Sequence, residues 1–162
     1  MEKKTISVEI TVLSEDELSA AQLELRRAAM SMTRNSYAPY SKFNVGAAIL
    51  LANGATVCGA NQENAAFPSG TCAERSACFA AGANHPGVGL RKIAIAARTV
   101  PAANTDAEGF LLEPVSPCGA CRQALLEFES RFGDIEVLLC GAVKTYRLPS
   151  VASLLPLCFA EF

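Results

Sequence analysis

The sequence predicts an α/β domain built around a mixed β-sheet, and two observations favour this class. Asn53-Gly54, a dipeptide typical of two-residue hairpin turns, separates apolar segments at residues 43–52 and 55–61. Helical and strand patterns then alternate along the chain: a helix at 72–83, a strand at 92–97, a helix near 118 and a strand at 135–140. A hairpin followed by this alternation indicates helices packed on a sheet with parallel and antiparallel pairs.

The N-terminal part of the chain predicts one more strand and one more helix. Apolar and polar side chains alternate over residues 5–12, which is typical of a half-buried strand. Such a strand must pair with the edge of this sheet or with another subunit. Ser14 and Glu17 have capping-box spacing, which predicts a helix running to about Thr33. The remaining segments are a long polar loop at 99–114 and a short Leu-rich turn or helix near 150–155.

Composition and charge favour a single domain that acts on a small molecule. A chain of 162 residues with 51% hydrophobic content can bury one core, so residues 1–162 are expected to form one domain, with 1–13 as its extra strand. Lys and Arg are scattered and the net charge is -2, which gives no electrostatic footprint for nucleic acid. The start does not resemble a signal peptide, and the longest apolar run, 45–52, is too short to span a membrane.

Seven cysteines could indicate a secreted disulfide scaffold, but their number is odd and the chain is not very small. A cytoplasmic protein fits this composition better. The cysteines in apolar contexts are expected to be small buried side chains rather than reactive thiols: Cys58, Cys78, Cys140 and Cys158.

The other three cysteines carry the clearest chemical signal in the chain. Cys72 precedes Glu74 by two residues, and Cys118 and Cys121 form a C-x-x-C pair. Catalytic zinc keeps one coordination position open, whereas structural zinc usually has four protein ligands. The pattern therefore predicts that Cys72, Cys118 and Cys121 bind one Zn2+ and that Glu74 transfers protons near a zinc-activated water.

Both cysteine motifs are expected at helix N-termini. Thr71 is a suitable N-cap residue, which would place Cys72 in the first turn of one helix. Ser116 as N-cap and Pro117 at the first helical position would place the C-x-x-C sulfurs on one face of another helix. The positive ends of both helices would favour the cysteines as thiolates.

Each part of this motif also has a simpler interpretation. Thr71 and Glu74 have capping-box spacing, so Glu74 could only satisfy a backbone N–H group. The C-x-x-C pair alone could be a redox pair or half of a structural zinc site. The single histidine, His85, lies in a segment rich in Gly, Asn and Pro and is not expected to be a ligand.

Cys72-Ala73-Glu74-Arg75, together with residues 117–123, resembles the zinc-dependent cytidine deaminases, specifically the small homotetrameric class that acts on free nucleosides. Residues 40–48, 61–65 and 154–159 also follow that family's order of motifs. The resemblance implies a three-layer α/β/α fold with a central mixed sheet of about five strands. It also implies one Zn2+ per subunit and a homotetramer in which neighbouring subunits complete the active sites.

The resemblance assigns further residues to substrate binding. It implies that Asn61 and Glu63 hydrogen-bond the ribose, that Phe43 lines the pocket, that Ala73 also binds the substrate, and that Phe159 reaches the base from a neighbouring subunit. Simpler roles remain open for three of these residues: a turn for Asn61, a core aromatic for Phe43 and a C-terminal anchor for Phe159.

The resemblance also gives Arg75 a role, a hydrogen bond to a ligand sulfur, although a surface arginine is the alternative. The sequence thus predicts hydrolytic deamination of cytidine and deoxycytidine to uridine and deoxyuridine with release of ammonia, in cytoplasmic pyrimidine salvage, without nucleic-acid or membrane partners. Three alternatives remain: a deaminase of blasticidin-type antibiotics, a nucleic-acid-editing deaminase and a zinc-stabilised module without activity.

Overall fold

A mixed sheet forms the centre of the computed structural model, which describes residues 1–160. Within that range the sheet has six strands in the order β1-β6-β5-β4-β2-β3, and only the β4–β5 pair is parallel. The strands are β1 (Thr11–Leu13), β2 (Asn44–Leu51), β3 (Thr56–Ala60), β4 (Leu90–Arg98), β5 (Glu136–Cys140) and β6 (Thr145–Leu148). The α-helices are α1 (Ala20–Met32), α2 (Ala73–Asn84) and α3 (Gly119–Phe132).

The helices cover both faces of the sheet, which confirms the three-layer α/β/α prediction. Leu25 and Ala29 of α1 pack on one face, against buried residues such as Ala94 and Leu138. Helices α2 and α3 share the opposite face, where Ile95 of β4 lies in the larger core cluster. Alternate side chains of each strand enter opposite cores, as the pleat of a sheet requires.

Two glycines allow helices to approach the sheet closely. A Cβ atom at Gly46 of β2 would lie 2.2 Å from the carbonyl oxygen of Ala29 in α1. A Cβ atom at Gly59 of β3 would lie 2.5 Å from the backbone nitrogen of Ala77 and 2.6 Å from the carbonyl oxygen of Ala73. Because these neighbours are backbone atoms, the layers can reach this separation only with glycine at both positions.

The prediction of a strand over residues 5–12 is wrong, because only Thr11–Leu13 pairs with the sheet. The edge available to this segment is β6, which has only four residues and is followed by Pro149. Residues 1–10 are exposed and have no strand structure. Strand β6 was not expected from the sequence and raises the strand number from about five to six.

The predicted first helix is divided into two elements. The Ser14–Glu17 capping box is present, but it begins a single 3-10 turn, Glu15–Glu17. Leu18 then takes an extended conformation, and a second capping box between Ser19 and Gln22 begins α1. Helix α1 therefore begins after the Ser19 cap, not after Ser14 as the sequence predicts.

The hairpin, the two later strands and the long loop agree with the prediction to within a few residues.

Burial of the cysteines agrees with the prediction only in part. Cys78 and Cys140 are buried, which raises their thiol pKa to about 11 and about 12, respectively. Cys58 is half-buried, whereas Cys158 is exposed, so its expected burial was wrong. Among residues 1–160, no helix has the length and apolar character needed to cross a bilayer.

Candidate active site

Two helix N-termini bring the three cysteines together. Cys72 is the N-cap residue of α2, and Cys118 is the N-cap residue of α3. The expected N-caps Thr71 and Ser116 were therefore wrong by one and two residues. The hydroxyl of Thr71 donates to the carbonyl of Cys72, and that of Ser116 accepts from Arg122, so neither hydroxyl caps a helix. The capping-box alternative for Glu74 is excluded, because Thr71 does not cap α2.

The three sulfur atoms form a compact donor set. The Cys118 and Cys121 Sγ atoms are 3.3 Å apart, Cys72 Sγ is 4.0 Å from Cys118 Sγ, and all three lie within 4.8 Å of one another. Zn–S bonds of about 2.3 Å in a tetrahedron place sulfurs about 3.8 Å apart. Within residues 1–160 no fourth His, Cys, Asp or Glu belongs to this group. The donor set therefore fits one zinc ion with one open position.

Electrostatics at the site favour a thiolate at Cys72. Its pKa is lowered to about 5, chiefly by the hydrogen bond with Cys121 and further by Arg75, whose Nη2 lies 3.8 Å from Cys72 Sγ. The pKa of Cys121 is raised, chiefly by its hydrogen bond with Cys72 and further by burial. Arg75 thus contacts the sulfur of Cys72.

Glu74 occupies the second position of α2 and is 4% exposed. Burial raises the pKa of its carboxyl group, and the nearby charge of Cys72 adds to this effect. The side chain borders the same cavity as Cys72 and Cys118 without joining the sulfur cluster. A carboxyl group held in this way can accept and return a proton instead of binding the metal.

A cavity of about 460 Å³ connects these groups with the predicted ribose-binding residues. It lies where β3 leads into α2 and where the chain approaches α3. The cavity is lined by Ser41, Phe43, Val45, Asn61, Glu63, Cys72, Glu74, Ile95, Val115, Ser116 and Cys118. Phe43, Asn61 and Glu63 therefore border the same space as the sulfur cluster. Ala73 is fully buried and is not among the described lining residues.

The Asn61 amide holds the wall of this cavity. Its Oδ1 accepts hydrogen bonds from the Val45 amide, at 2.8 Å, and from the Ser36 hydroxyl, while its Nδ2 donates to the Phe43 carbonyl at 2.9 Å. An Asn amide has two N–H groups, so one remains for a ligand. Asn61 therefore has a structural role, but it joins three segments by hydrogen bonds instead of forming a turn.

Glu63 holds the loop that leads to Phe43. One of its carboxylate oxygens, Oε2, accepts from the backbone amides of Tyr40 and Ser41 at 2.9 Å and 3.2 Å. The pKa of Glu63 is lowered, chiefly through its hydrogen bond with Ser41. Lys42, next in the loop, has a positive φ of 58°, which is uncommon for a residue with a side chain. The same side chain borders the cavity that contains the sulfur cluster.

Neither Phe159 nor His85 is among the described residues that line this cavity. Phe159 is 66% exposed, and its carbonyl oxygen accepts from Gln123 Nε2 at 2.8 Å. It is not among the described residues that line the cavity of its own subunit. His85 ends α2 at the opposite end from Cys72. Since twelve helical residues span about 18 Å, the histidine is far from the sulfur cluster.

Several lining residues were not anticipated from the sequence. Ile95 and Val45 are core-like side chains within strands, where no local pattern distinguishes a pocket wall from a core position. Ser116 and Val115 lie two and three residues before Cys118, so their nearness in sequence to a zinc ligand was the signal that could have identified them. Fold and geometry together define an α/β protein with a three-sulfur zinc site beside a buried carboxyl group.

Comparison with known proteins identifies this combination. The family model for the cytidine and deoxycytidylate deaminase zinc-binding region matches residues 20–135. A cytidine deaminase of Sporosarcina psychrophila is 41% identical over 126 residues, which are 78% of this chain and 82% of that protein. A cytidine deaminase of Halalkalibacterium halodurans is 36% identical over 132 residues, covering 82% of this chain and 89% of that protein.

Solved structures give the same result. The crystal structure of cytidine deaminase from Burkholderia pseudomallei is 35% identical in sequence, with a TM-score of 0.69, and the match covers 88% of this chain and all of that one. The structure of cytidine deaminase from Mycobacterium tuberculosis matches with a TM-score of 0.64 at 30% identity, over 85% of this chain and 96% of that chain. This chain therefore belongs to the cytidine and deoxycytidylate deaminase family.

Proposed function

We propose that this protein is an enzyme that deaminates cytidine and deoxycytidine by hydrolysis, giving uridine and deoxyuridine with release of ammonia. The observation that carries the proposal is the placement of three zinc-competent sulfurs and a buried carboxyl group in one cavity with Phe43, Asn61 and Glu63. The family's named members at 36% and 41% identity over most of their length support the same substrate.

Zinc would be held by Cys72, Cys118 and Cys121, and when bound it supplies Lewis acidity that lowers the pKa of water. Glu74 performs the proton transfers. It accepts the first proton of the attacking water and delivers it to the ring nitrogen, then takes the second proton from the hydroxyl formed on the ring carbon and delivers it to the departing amine, which leaves as ammonia. Its burial suits this role, because the raised pKa brings the carboxyl group closer to the pH at which it must both accept and donate.

The cavity walls provide distinct surfaces for a base and for a sugar. Phe43, Val45 and Ile95 provide apolar contact for a pyrimidine ring. The second oxygen of the Glu63 carboxylate can accept from a ribose hydroxyl, and the remaining N–H group of Asn61 can donate to one. A volume of about 460 Å³ lies within the range of small-molecule sites.

Assembly belongs to the same proposal: residues 1–162 form one deaminase domain, and four chains associate as a homotetramer. Phe159 would then enter the active site of a neighbouring subunit, which is consistent with its 66% exposure and its absence from the described lining of its own cavity. We also assign the protein to cytoplasmic pyrimidine salvage, on the basis of the proposed deamination of free nucleosides and the similarity to cytidine deaminases. Light scattering after size-exclusion chromatography should give the mass of four 17.0 kDa chains, and a monomer would refute the shared active site.

Incubation of the zinc-loaded protein with a panel of nucleosides tests the activity directly. The panel contains cytidine, deoxycytidine, their monophosphates and blasticidin S, and loss of the cytidine absorbance band reports deamination. We expect turnover of both free nucleosides. Zinc-loaded protein that deaminates blasticidin S but neither nucleoside would replace the proposal with the antibiotic deaminase, and protein inactive on every substrate would support the non-catalytic module.

A further inference from the structure

Arg122, the residue after the zinc ligand Cys121, connects three separate parts of the chain. Its Nε donates to the Pro117 carbonyl oxygen at 2.8 Å, and its Nη2 donates to the Ser116 hydroxyl at 2.8 Å. Its Nη1 donates to the Leu154 carbonyl oxygen at 2.7 Å. Hydrogen bonds from a charged donor at such distances are among the stronger ones in proteins.

The first two contacts hold the loop that carries Cys118. The guanidinium binds the two residues before that cysteine, while the backbone N–H of Arg122 donates to the Cys118 carbonyl at 3.0 Å. The loop is thus bound through three consecutive residues by a single side chain and its own amide. Because Ser116 and Cys118 both line the catalytic cavity, moving this loop would displace a zinc ligand and part of the substrate wall.

The third contact brings the C-terminal segment to the same helix. Leu154 ends a 3-10 turn, Ala152–Leu154, and its side chain is buried in the larger core. The next residue of α3, Gln123, donates from Nε2 to the Phe159 carbonyl oxygen at 2.8 Å. Two consecutive residues of the zinc-bearing helix therefore bind the C-terminal segment at two points.

We propose that Arg122 is a positioning residue that holds the Cys118 loop in its zinc-binding geometry and aligns it with the C-terminal segment. It differs from Arg75, which hydrogen-bonds a ligand sulfur itself. The planar guanidinium is required, because its fork of donors reaches three acceptors at once and a lysine ammonium cannot reproduce that geometry. The inference rests on the proposed zinc site but not on the identity of the substrate.

Zinc affinity provides the test, measured as transfer of zinc to a chromophoric chelator from the wild type, Arg122→Lys and Arg122→Met. Residues that orient metal ligands typically change metal affinity about 10- to 100-fold when mutated, so we expect a loss in this range for Arg122→Met. Arg122→Lys should lie between that variant and the wild type. Arg131→Lys, on the last turn of the same helix, serves as the control and should bind zinc like the wild type.

Two further measurements keep the inference falsifiable. Thermal unfolding of the zinc-free variants separates positioning from general destabilisation, and an Arg122→Met protein with lowered stability but wild-type zinc affinity would overturn the proposal. Gln123→Ala weakens the C-terminal contact alone and should keep its zinc affinity. If it lost zinc as strongly as Arg122→Met, the C-terminal segment rather than the Cys118 loop would control the metal. Neither zinc measurement depends on cytidine turnover, so failure of the proposed substrate would be recognised separately.

Discussion

Cys72 and Cys118 each take the N-cap position of a helix, so two zinc-binding thiols lie beside backbone N–H groups that lack partners within the helix. Three thiolates on one Zn2+ leave a formal charge of about -1, which weakens the ion as a Lewis acid. The positive ends of α2 and α3 and the guanidinium of Arg75 offset this charge. The charge balance at the zinc site therefore depends on where α2 and α3 begin.

The sequence identified the ligands and Glu74 as candidates, because the residue types and their spacing carry the chemistry. It did not identify the helix starts. Thr71, Ser116 and Pro117 are all favourable start residues, and only the hydrogen bonds of the folded chain show that they serve other purposes. The amide of Asn61 is similar, because its three partners come from segments distant in sequence.

Glu74→Gln should retain zinc and lose turnover. The amide has nearly the same shape but cannot accept and return the proton, and a general acid–base group contributes about 10²- to 10⁴-fold to the rate. Elemental analysis and the cytidine assay measure the two properties on the same sample. Glu127→Gln, on the exposed face of α3, is the matched control. A Glu74→Gln enzyme with wild-type kcat would eliminate the assigned proton transfer.

At the scale of elements, helix α2 is held against β3 by a close contact that leaves no room for a side chain at Gly59. This contact fixes the start of α2 and therefore Cys72, Glu74 and Arg75 at once. The hairpin and the strands β4 and β5 could be predicted because Asn-Gly and continuous apolar runs are local signals. The unpaired start of the chain could not, because the pairing of β1 with β6 depends on residues more than a hundred positions away, and β6 was missed because its four residues are too few for a clear pattern.

Gly59→Ala should destabilise the fold and disturb the zinc site. The added methyl group would meet the backbone of Ala73 and Ala77, and overpacking of this kind costs about 1–3 kcal/mol of unfolding free energy. Denaturant unfolding measures the loss. Gly119→Ala is the control, since its added Cβ would have no described atom within 4 Å. Equal stability of the two variants would contradict the close α2–β3 packing.

Glu136 should make the stability of the fold pH-dependent. Burial alone would raise its pKa, but hydrogen bonds from Lys92, at 2.8 Å, and from Gln22, at 3.0 Å, lower it overall from 4.5. A carboxyl group with a lowered folded-state pKa stabilises the fold above its unfolded pKa and loses that contribution as pH falls through the folded value.

We therefore expect Glu136→Gln to be less stable than the wild type at neutral pH, by about 1 kcal/mol or less because the pair is partly exposed. The difference should shrink below pH 4.5, the ordinary value for this group. Urea unfolding at a series of pH values measures it. A stability difference between the two proteins that grows on acidification would show that the predicted direction of the pH dependence is wrong.

At the scale of the whole molecule, the three layers place two loops, two helix starts and the inner strands around one cavity. The α/β class could be predicted from the alternation of elements, and family membership from its motifs. The composition of the cavity wall could not be predicted in full, since Ile95 and Val115 meet there only through the packing of distant segments. The complete cavity wall therefore forms only when the three layers pack together.

Removal of zinc should lower the melting temperature of the whole protein. The three sulfurs converge only in the folded chain, so bound metal stabilises that state, by about 4.1 kcal/mol when free zinc is 1,000 times its Kd. Differential scanning calorimetry with and without chelator measures the shift. Cys118→Ala should melt like the chelated protein and be insensitive to chelator. An unchanged melting temperature after verified zinc removal would disprove the coupling.

X-ray absorption spectroscopy of the zinc-loaded protein tests the central claim most directly, because it counts the sulfur and light-atom neighbours of the ion. The three-cysteine site with its open position predicts three sulfur neighbours at about 2.3 Å and one oxygen neighbour from solvent. Four sulfur neighbours, or a histidine nitrogen in the fourth position, would show a closed structural site and contradict the account.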